Sequence, residues 1–244
     1  MKTNRMYDEF AHLWPLISAP EDYAHEASFW RNAIREKLGQ GRHEILELGV
    51  GGGNNLSHLT SDFSAVAVDI SEKMLANSIK LNPGVEHHVG DMRTVRLGRL
   101  FDAVLIHDAI NYMLTEDDLR AVLGTAWMHL RPGGILVMSP DNFKETFADG
   151  FMRHGTHSDG TTELTYVQYE YDPDPDDTTT ETLFIFFIRE GGKVRVEQDL
   201  HVTGLFPRQR WLDLMEAAGF AAEEYDYPVH EHTDQGSLLV GLKP

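Results

Sequence analysis

The residues best suited to chemistry are a glycine cluster and a set of acids, tyrosines and histidines, in a chain without cysteine. Glu47, Gly49, Gly51 and Gly53 fall at alternate positions, with Gly52 among them. Glycine lacks Cβ and adopts positive φ cheaply, so such a loop lets the backbone approach a ligand closely. Twenty residues after Gly49 comes Asp69, closing the stretch that starts at Ser64, and Asp91 and Met92 follow Gly90 in the same manner. His107 and Asp108 end a further apolar run, with Tyr112 just behind and Tyr7 near the N-terminus. Tyrosine, histidine and carboxylate can each move a proton, for roughly 10²–10⁴ in rate. Without thiols there are no disulfides, thiolate metal sites or cysteine nucleophiles.

The glycine spacing is not that of a dinucleotide site, which wants G-x-G-x-x-G. Counting from Gly49 the third position holds Asn54, and from Gly51 it holds Leu56. A nucleotide-dependent oxidoreductase on a similar sheet is therefore the weaker reading.

These residues need elements to position them. Ile45, Leu46 and Leu48 form a short apolar run with the look of a strand, although a buried helix has the same periodicity. Asn54 to Leu59 starts a helix, Ser64–Asp69 is a second strand, and Ile70 to Leu75 starts the helix behind it. Val85–Gly90 gives a third strand and Phe101–Asp108 a fourth. Thr115 is an N-cap, followed by Glu116, Asp117 and Asp118 in the first turn of a helix reaching Leu130. Arg131, Pro132, Gly133 and Gly134 then break that helix before a fifth strand, Ile135–Ser139. Open α/β sheets bind ligands beyond the carboxyl ends of their strands. That rule puts His107, Asp108, Ala109, Asn111 and Tyr112 in or near a site.

Residues 1–20 are too irregular for one long helix, whereas Glu21–Leu38 repeats Tyr23, Ala27, Trp30, Ala33, Ile34 and Leu38 at helical steps and stops at Gly39. Between Asp141 and Phe206 three extended segments are expected, Thr161–Tyr171, Thr180–Arg189 and Lys193–Thr203, rich in β-branched and aromatic residues. The turns between them are 172–177 and 190–192. About 65 residues without linkers make a marginal core, so 141–206 is read as an antiparallel insertion covering the site rather than a separate domain. A helix over Pro207–Ala218 and extended segments at Ala221–Tyr227 and Gly236–Leu242 complete a single domain over 1–244.

The 244 residues are 41% hydrophobic, enough for a full core. A net charge of −18 argues against a nucleic-acid partner and favours approach of cations. No apolar run approaches the ~20 residues a membrane span needs, so no membrane partner is expected. The first residues lack the apolar segment of a secretory signal, which with the missing cysteines leads to a cytoplasmic expectation. Of thirteen histidines, His87 and His88 sit on a strand where at most one faces inward, and His154 and His157 lie near Asp141 and Asp159. No metal is expected from these spacings. Asp62, Asp102 and Asp149 read as turn residues, and a homodimer is left open.

The Glu47-x-Gly49-x-Gly51-x-Gly53 loop followed by Asp69 resembles motif I of the class I S-adenosylmethionine (SAM) dependent methyltransferases. The resemblance implies a Rossmann-like, doubly wound, seven-stranded and mostly parallel sheet with an antiparallel C-terminal hairpin. It also implies SAM as cofactor and S-adenosylhomocysteine as product. The loop would wrap the methionine part, Asp69 with Ile70 behind it would hold the ribose, Asp91 would accept from the adenine amino group, and Met92 would pack on the ring. His107 and Asp108 would stand at the cofactor's edge, and residues 1–40 would act as a lid.

Gly90–Arg93, Arg96–Arg99, Glu145–Gly150, His201–Phe206 and Ala217–Gly219 further resemble the N-methyltransferases of nucleotide-linked deoxyamino sugars. Those enzymes place a tyrosine near the N-terminus and a tyrosine or histidine after the fourth strand beside the amine. Tyr7 and Tyr112 are the matches, with His107 as a third candidate. The expectation is transfer of a methyl group to a small-molecule amine. The alternatives are an O-methyltransferase of a small metabolite, an oxidoreductase, or a SAM-binding protein without catalysis. One departure bears on the acceptor. A basic residue of the C-terminal hairpin meets the diphosphate in the sugar enzymes, and Asp234, Gln235, Gly236 and Ser237 stand there instead. Glutamine lacks the charge and the fork suited to phosphate. A free amine or a neutral small molecule is thus as well supported as a nucleotide sugar.

Overall fold

The computed structural model describes residues 4–228 and 236–244. After short 3₁₀ turns and α1 (Trp14–Ile17), a 3₁₀ turn at Pro20–Tyr23 leads into α2 (Ala24–Leu38). The chain then alternates β1 (Glu44–Leu48), α3 (Asn54–Ser57), β2 (Ser64–Asp69), α4 (Glu72–Leu81) and β3 (Glu86–Val89). It continues through β4 (Phe101–Ile106), a 3₁₀ turn at Asp108–Tyr112, α5 (Glu116–His129) and β5 (Leu130–Met138). Four strands follow: β6 (Phe151–Ser158), β7 (Thr162–Tyr171), β8 (Thr179–Glu190) and β9 (Lys193–Gly204). α6 (Arg208–Ala217), β10 (Ala221–Asp226) and β11 (Ser237–Leu242) end the chain.

The main sheet has seven strands in the order β10-β11-β5-β4-β1-β2-β3. β1 to β5 run parallel, and β11 is antiparallel to both β5 and β10. The winding reverses between β1 and β4, which opens a crevice beyond their carboxyl ends. Both faces are covered, so the inner strands are apolar on each side rather than alternating. Leu46, Leu48, Val104 and Ile106 join the core under α5 and α6. Ile45, Ala103, Leu105 and Val137 join the core under α2 and α3. Each fully buried aliphatic side chain adds about 1.5–3 kcal/mol.

Three local expectations are corrected. The Arg131–Gly134 stretch does not separate α5 from a strand but is the irregular start of β5, paired through a register shift opposite Phe101 and Ala103. A Cβ on Gly134 would lie 2.8 Å from the Asp102 carbonyl oxygen, so glycine allows the approach. The insertion has a fourth strand, β6, at the edge of a β6-β7-β8-β9 sheet. Almost all of β6 is exposed, and its residues show no apolar alternation by which to find it. The helix from Glu21 divides into a 3₁₀ turn and α2, because Pro20 starts the turn.

The N-terminal segment lies between the two sheets. Met6, Phe10 and Leu13 pack on Leu164, Phe184, Phe186 and Ile188 of β7 and β8. Asn77 donates to the Ala11 carbonyl at 2.7 Å, and the Asn54 amide donates to Ser18 at 3.1 Å, so the arm is tied to the main sheet as well. No described helix is long and apolar enough to cross a membrane.

Candidate active site

A cavity of about 380 Å³ lies at the reversal point, bounded by the glycine loop, the ends of β2 to β5, the N-terminal segment and β9. Its lining includes Tyr7, Glu47, Gly49, Gly51, Asp69, Ile70, Asp91, Met92, His107, Asp108 and Tyr112. Among the expected residues only Gly53 stands outside that lining. Its left-handed φ of 78° starts α3, and a Cβ there would meet Asn82 and Ser78 at 2.4 Å. Gly53 therefore seats the loop on α4.

The loop's shape depends on glycine. Gly49 and Gly51 are left-handed, with φ of 78° and 54°. A Cβ on Gly49 would stand 2.4 Å from the Ala109 methyl and 2.8 Å from the Met92 terminal methyl. One on Gly52 would strike the Trp14 ring at 2.5 Å, so the N-terminal arm lies directly on the loop. Asp69 fixes the loop from below. Its carboxylate accepts from the Gly51 N–H and the Ser71 N–H, both at 2.8 Å. Burial pushes the Asp69 carboxyl up despite these bonds. Glu47 is buried, and its Oε2 has no partner among the described residues. Burial, with lesser opposition from His107, pushes its carboxyl up to about 8.

Asp91 faces Arg93, which also reaches Asp118 at 2.7 Å. The guanidinium holds the Asp91 carboxyl below its usual range. Among the described residues Arg93 is the one lysine or arginine in the cavity lining, and both its partners are acids.

His107 differs from its expected part. Its Nδ1 bonds the Asp108 carboxylate and its Nε2 the Glu26 carboxylate. Burial opposes a charge here, but the two acids outweigh it and hold the imidazole well above its usual pKa. A doubly bonded imidazolium has no lone pair with which to accept a proton. Glu26 also accepts from the Tyr227 hydroxyl, which receives the Trp30 indole N–H at 2.9 Å. A buried network thus joins β4 to α2 and the C-terminal hairpin.

The tyrosines do come together. The 3₁₀ turn at Asp108–Tyr112 sends Tyr112 inward, and its hydroxyl lies 2.9 Å from that of Tyr7. On its other side Tyr112 meets His201 Nδ1 at 2.8 Å. Burial raises both phenols, so both stay protonated near neutral pH. Asp141, just past β5, lines the same cavity but keeps an exposed side, and desolvation by its neighbours and then the charge of Asp108 push its carboxyl up. Its N–H donates to the Asn111 side chain at 3.3 Å, while the Asn111 Nδ2 has no partner among the described residues.

The sequence reading missed Glu26, Tyr227, His201 and Asp199. A signal for the last two was present, since residues two apart on a strand share a face. The expected turn acids have structural partners. Asp62 holds Arg31 and Arg35, Asp102 accepts from the Glu44 N–H, and Asp149 accepts from the Asp172 N–H. Among the described residues no group of three or more His, Asp or Glu could hold a metal. Of the hairpin stretch expected to distinguish the acceptor, Asp234 and Gln235 lie outside the described residues. Ser237 is bonded to Arg208 and Glu224.

Parallel strands wound to a crevice, a left-handed glycine loop and a strand-final acid define a class I methyltransferase fold with its cofactor cleft. Comparison with known proteins agrees. Residues 45–134 match the model of a methyltransferase domain. The dTDP-3-amino-3,4,6-trideoxy-alpha-D-glucopyranose N,N-dimethyltransferase of Streptomyces venezuelae is 33% identical over 207 residues, covering 83% of this chain and 85% of that one. The sugar N-methyltransferase KedS8 from Streptoalloteichus superposes with a TM-score of 0.85 at 25% identity, over 100% of this chain and 94% of its own. SAM-bound CalS10, an amino pentose methyltransferase from Micromonospora echinaspora, gives a TM-score of 0.78 at 26% identity, over 91% and 92%. The chain belongs to the SAM-dependent methyltransferases.

The cavity fits SAM on its own terms. Gly49, Gly51 and Gly52 leave walls without Cβ atoms, Asp69 is fixed by backbone donors, and Glu47 keeps a buried oxygen free of partners.

Proposed function

We propose that this chain transfers a methyl group from SAM to the nitrogen of a small-molecule amine, of the amino-sugar type its relatives are named for. The observation that carries the reading is the pair of half-buried tyrosines, Tyr7 and Tyr112, whose hydroxyls meet 2.9 Å apart on the lining of the same cavity as the glycine loop. SAM, when bound, supplies a methyl group on a positively charged sulfur. Everything else falls to the protein. Glu47, Gly49, Gly51, Asp69, Ile70, Asp91, Met92 and Asp108 hold the cofactor. The His107 cation, locked between Glu26 and Asp108, gives that wall a fixed charge and shape and takes no proton.

An amine attacks only when neutral, and the acids lining the cavity draw in its cationic form first. Tyr112 then orients the nitrogen and accepts a hydrogen bond from it, while Tyr7, bonded to Tyr112, closes the site from the N-terminal arm. Alignment of reacting groups contributes up to roughly 7–11 kcal/mol, and proton handling adds less. The whole chain works as one unit in this reading, with residues 1–40 as lid and 141–206 as cover. The test is release of S-adenosylhomocysteine with an amino deoxysugar and with its hydroxyl counterpart, each free and dTDP-linked. Turnover confined to the amines supports the proposal, and equal turnover of the hydroxyl compounds refutes it.

A further inference from the structure

The hydrogen bonds that begin at Tyr7 continue beyond Tyr112. His201 Nε2 lies 2.9 Å from Asp199 Oδ2, and the same oxygen accepts the Met6 N–H at 2.7 Å. Asp199 and His201 are buried side by side on the inner face of β9. His201 is walled by the Phe184 ring at 4.7 Å and the Tyr7 ring at 5.4 Å. The titratable groups facing it are Tyr7, Tyr112 and Asp199; Thr182 and Phe184 of β8, its other neighbours, carry no charge.

The direction of every bond in this chain follows from its far end. Asp199 is anchored by a backbone N–H and paired with His201, and although burial opposes it, these partners hold its carboxyl below the usual range. A carboxylate only accepts, so His201 donates from Nε2, and in the neutral imidazole this leaves a lone pair on Nδ1. In that tautomer Tyr112 donates its O–H to Nδ1 and accepts from the Tyr7 O–H, and its second lone pair, which Asn4 faces on the cavity lining, is the one the acceptor takes in place of Asn4. A phenol whose proton points away from the cavity is set to receive a proton from within it.

We propose that Asp199 and His201 form a proton-accepting relay behind Tyr112, a role that rests on the N-methylation reading. The bound acceptor, as an ammonium, gives one proton to the Tyr112 oxygen while the Tyr112 proton passes to His201 Nδ1. The nitrogen lone pair is freed, Tyr112 is again a neutral phenol, and the new imidazolium is balanced by Asp199. That proton is lost to water when product leaves. Tyr112 touches the acceptor, and His201 and Asp199 are positioning residues that act through it.

Two variants separate this relay from mere packing. His201→Gln can still accept the Tyr112 O–H but cannot take up a proton. Its kcat with an amine should fall roughly 10²–10⁴-fold, with SAM affinity within twofold of wild type. Its rate should track the fraction of acceptor that is already neutral in solution, so that it falls with decreasing pH while wild type holds. In Asp199→Asn the amide oxygen, held in place by the Met6 N–H, still accepts from Nε2, so the tautomer is kept while the charge that balances the imidazolium is lost. Nitrogen-15 NMR of labelled histidine reads that tautomer without any acceptor or turnover. The relay requires an Nε2–H His201 in wild type and in Asp199→Asn, with the kcat of Asp199→Asn for the amine below that of wild type. A wild-type Nδ1–H tautomer overturns it, as does a folded His201→Gln with unchanged kcat and pH profile. If His201→Gln does not fold, the wild-type tautomer and the Asp199→Asn rate decide. Should the N-methylation reading fail instead, wild type would turn over no amine while the tautomer result stood unaffected.

Discussion

The hydroxyl oxygens of Tyr7 and Tyr112 stand 2.9 Å apart, although 105 positions separate them in the chain. What joins them is the N-terminal arm. The Tyr7 carbonyl accepts from Ser71, the N-cap of α4, and the Arg5 guanidinium is pinned to Glu197 of β9 at 2.9 Å. The cofactor-side helix and the insertion thus hold one tyrosine from two directions, against a second fixed at the end of β4.

Removing only the phenolic oxygen in Tyr112→Phe should lower kcat by roughly 10²-fold or more, while SAM affinity by calorimetry stays nearly unchanged. Tyr7→Phe should act the same way but more weakly, since its ring also packs on Trp14 at 5.8 Å. If Tyr112→Phe turns over the amine as wild type does, the ring is core packing and nothing more.

Asp69 accepts two loop N–H groups and faces the cavity. Asp69→Ala should weaken SAM binding by about 1.5–3 kcal/mol, read as the dissociation constant by calorimetry. Unchanged affinity would remove Asp69 from the cofactor site.

Gly49 sits at φ 78° with no room for a Cβ beside Ala109 and Met92. Gly49→Ala should cost about 1–3 kcal/mol in backbone strain and a comparable amount in displaced neighbours. Urea denaturation measures the sum of the two losses, and SAM titration reads the accompanying fall in cofactor affinity. A variant as stable as wild type would mean the loop is not held in this shape.

Glu47 supplies a pH dependence. Its carboxyl is pushed by burial from 4.5 up to about 8, so the folded state favours the neutral acid. That stabilisation is whole below the unfolded pKa and is lost as pH rises through the folded one. Glu47→Gln is neutral throughout. Without ligand it should match wild type near pH 4.5 and exceed it above pH 8 by roughly 2–4 kcal/mol. Equal stabilities at both pH values would show Glu47 titrating as an exposed acid.

The cofactor half was legible in the sequence because it is local. Gly49, Gly51, Asp69, Asp91 and Met92 each sit at the end of a strand that announces itself, and the sheet's winding gathers strand ends without further information. The insertion was partly legible, since β7 to β9 carry β-branched and aromatic runs, while β6 is an exposed edge with no apolar pattern. His107 misled as a base candidate because its character is set by Glu26, 81 positions away on α2. His201 was passed over for the same reason. Its meaning depends on Tyr112, 89 positions away, and on the fold of β9 against the N-terminal arm. Local periodicity carries neither fact.

We propose that the methyl group goes to an amine nitrogen beside the bonded Tyr7–Tyr112 pair. This claim is tested most directly by giving the enzyme SAM labelled with carbon-13 in its methyl group and an amino deoxysugar acceptor that also carries free hydroxyls. Carbon-13 NMR of the product then shows the atom that received the label. We expect it on nitrogen alone, with the signal lost in Tyr112→Phe over the same reaction time. Label on a sugar oxygen would contradict the account.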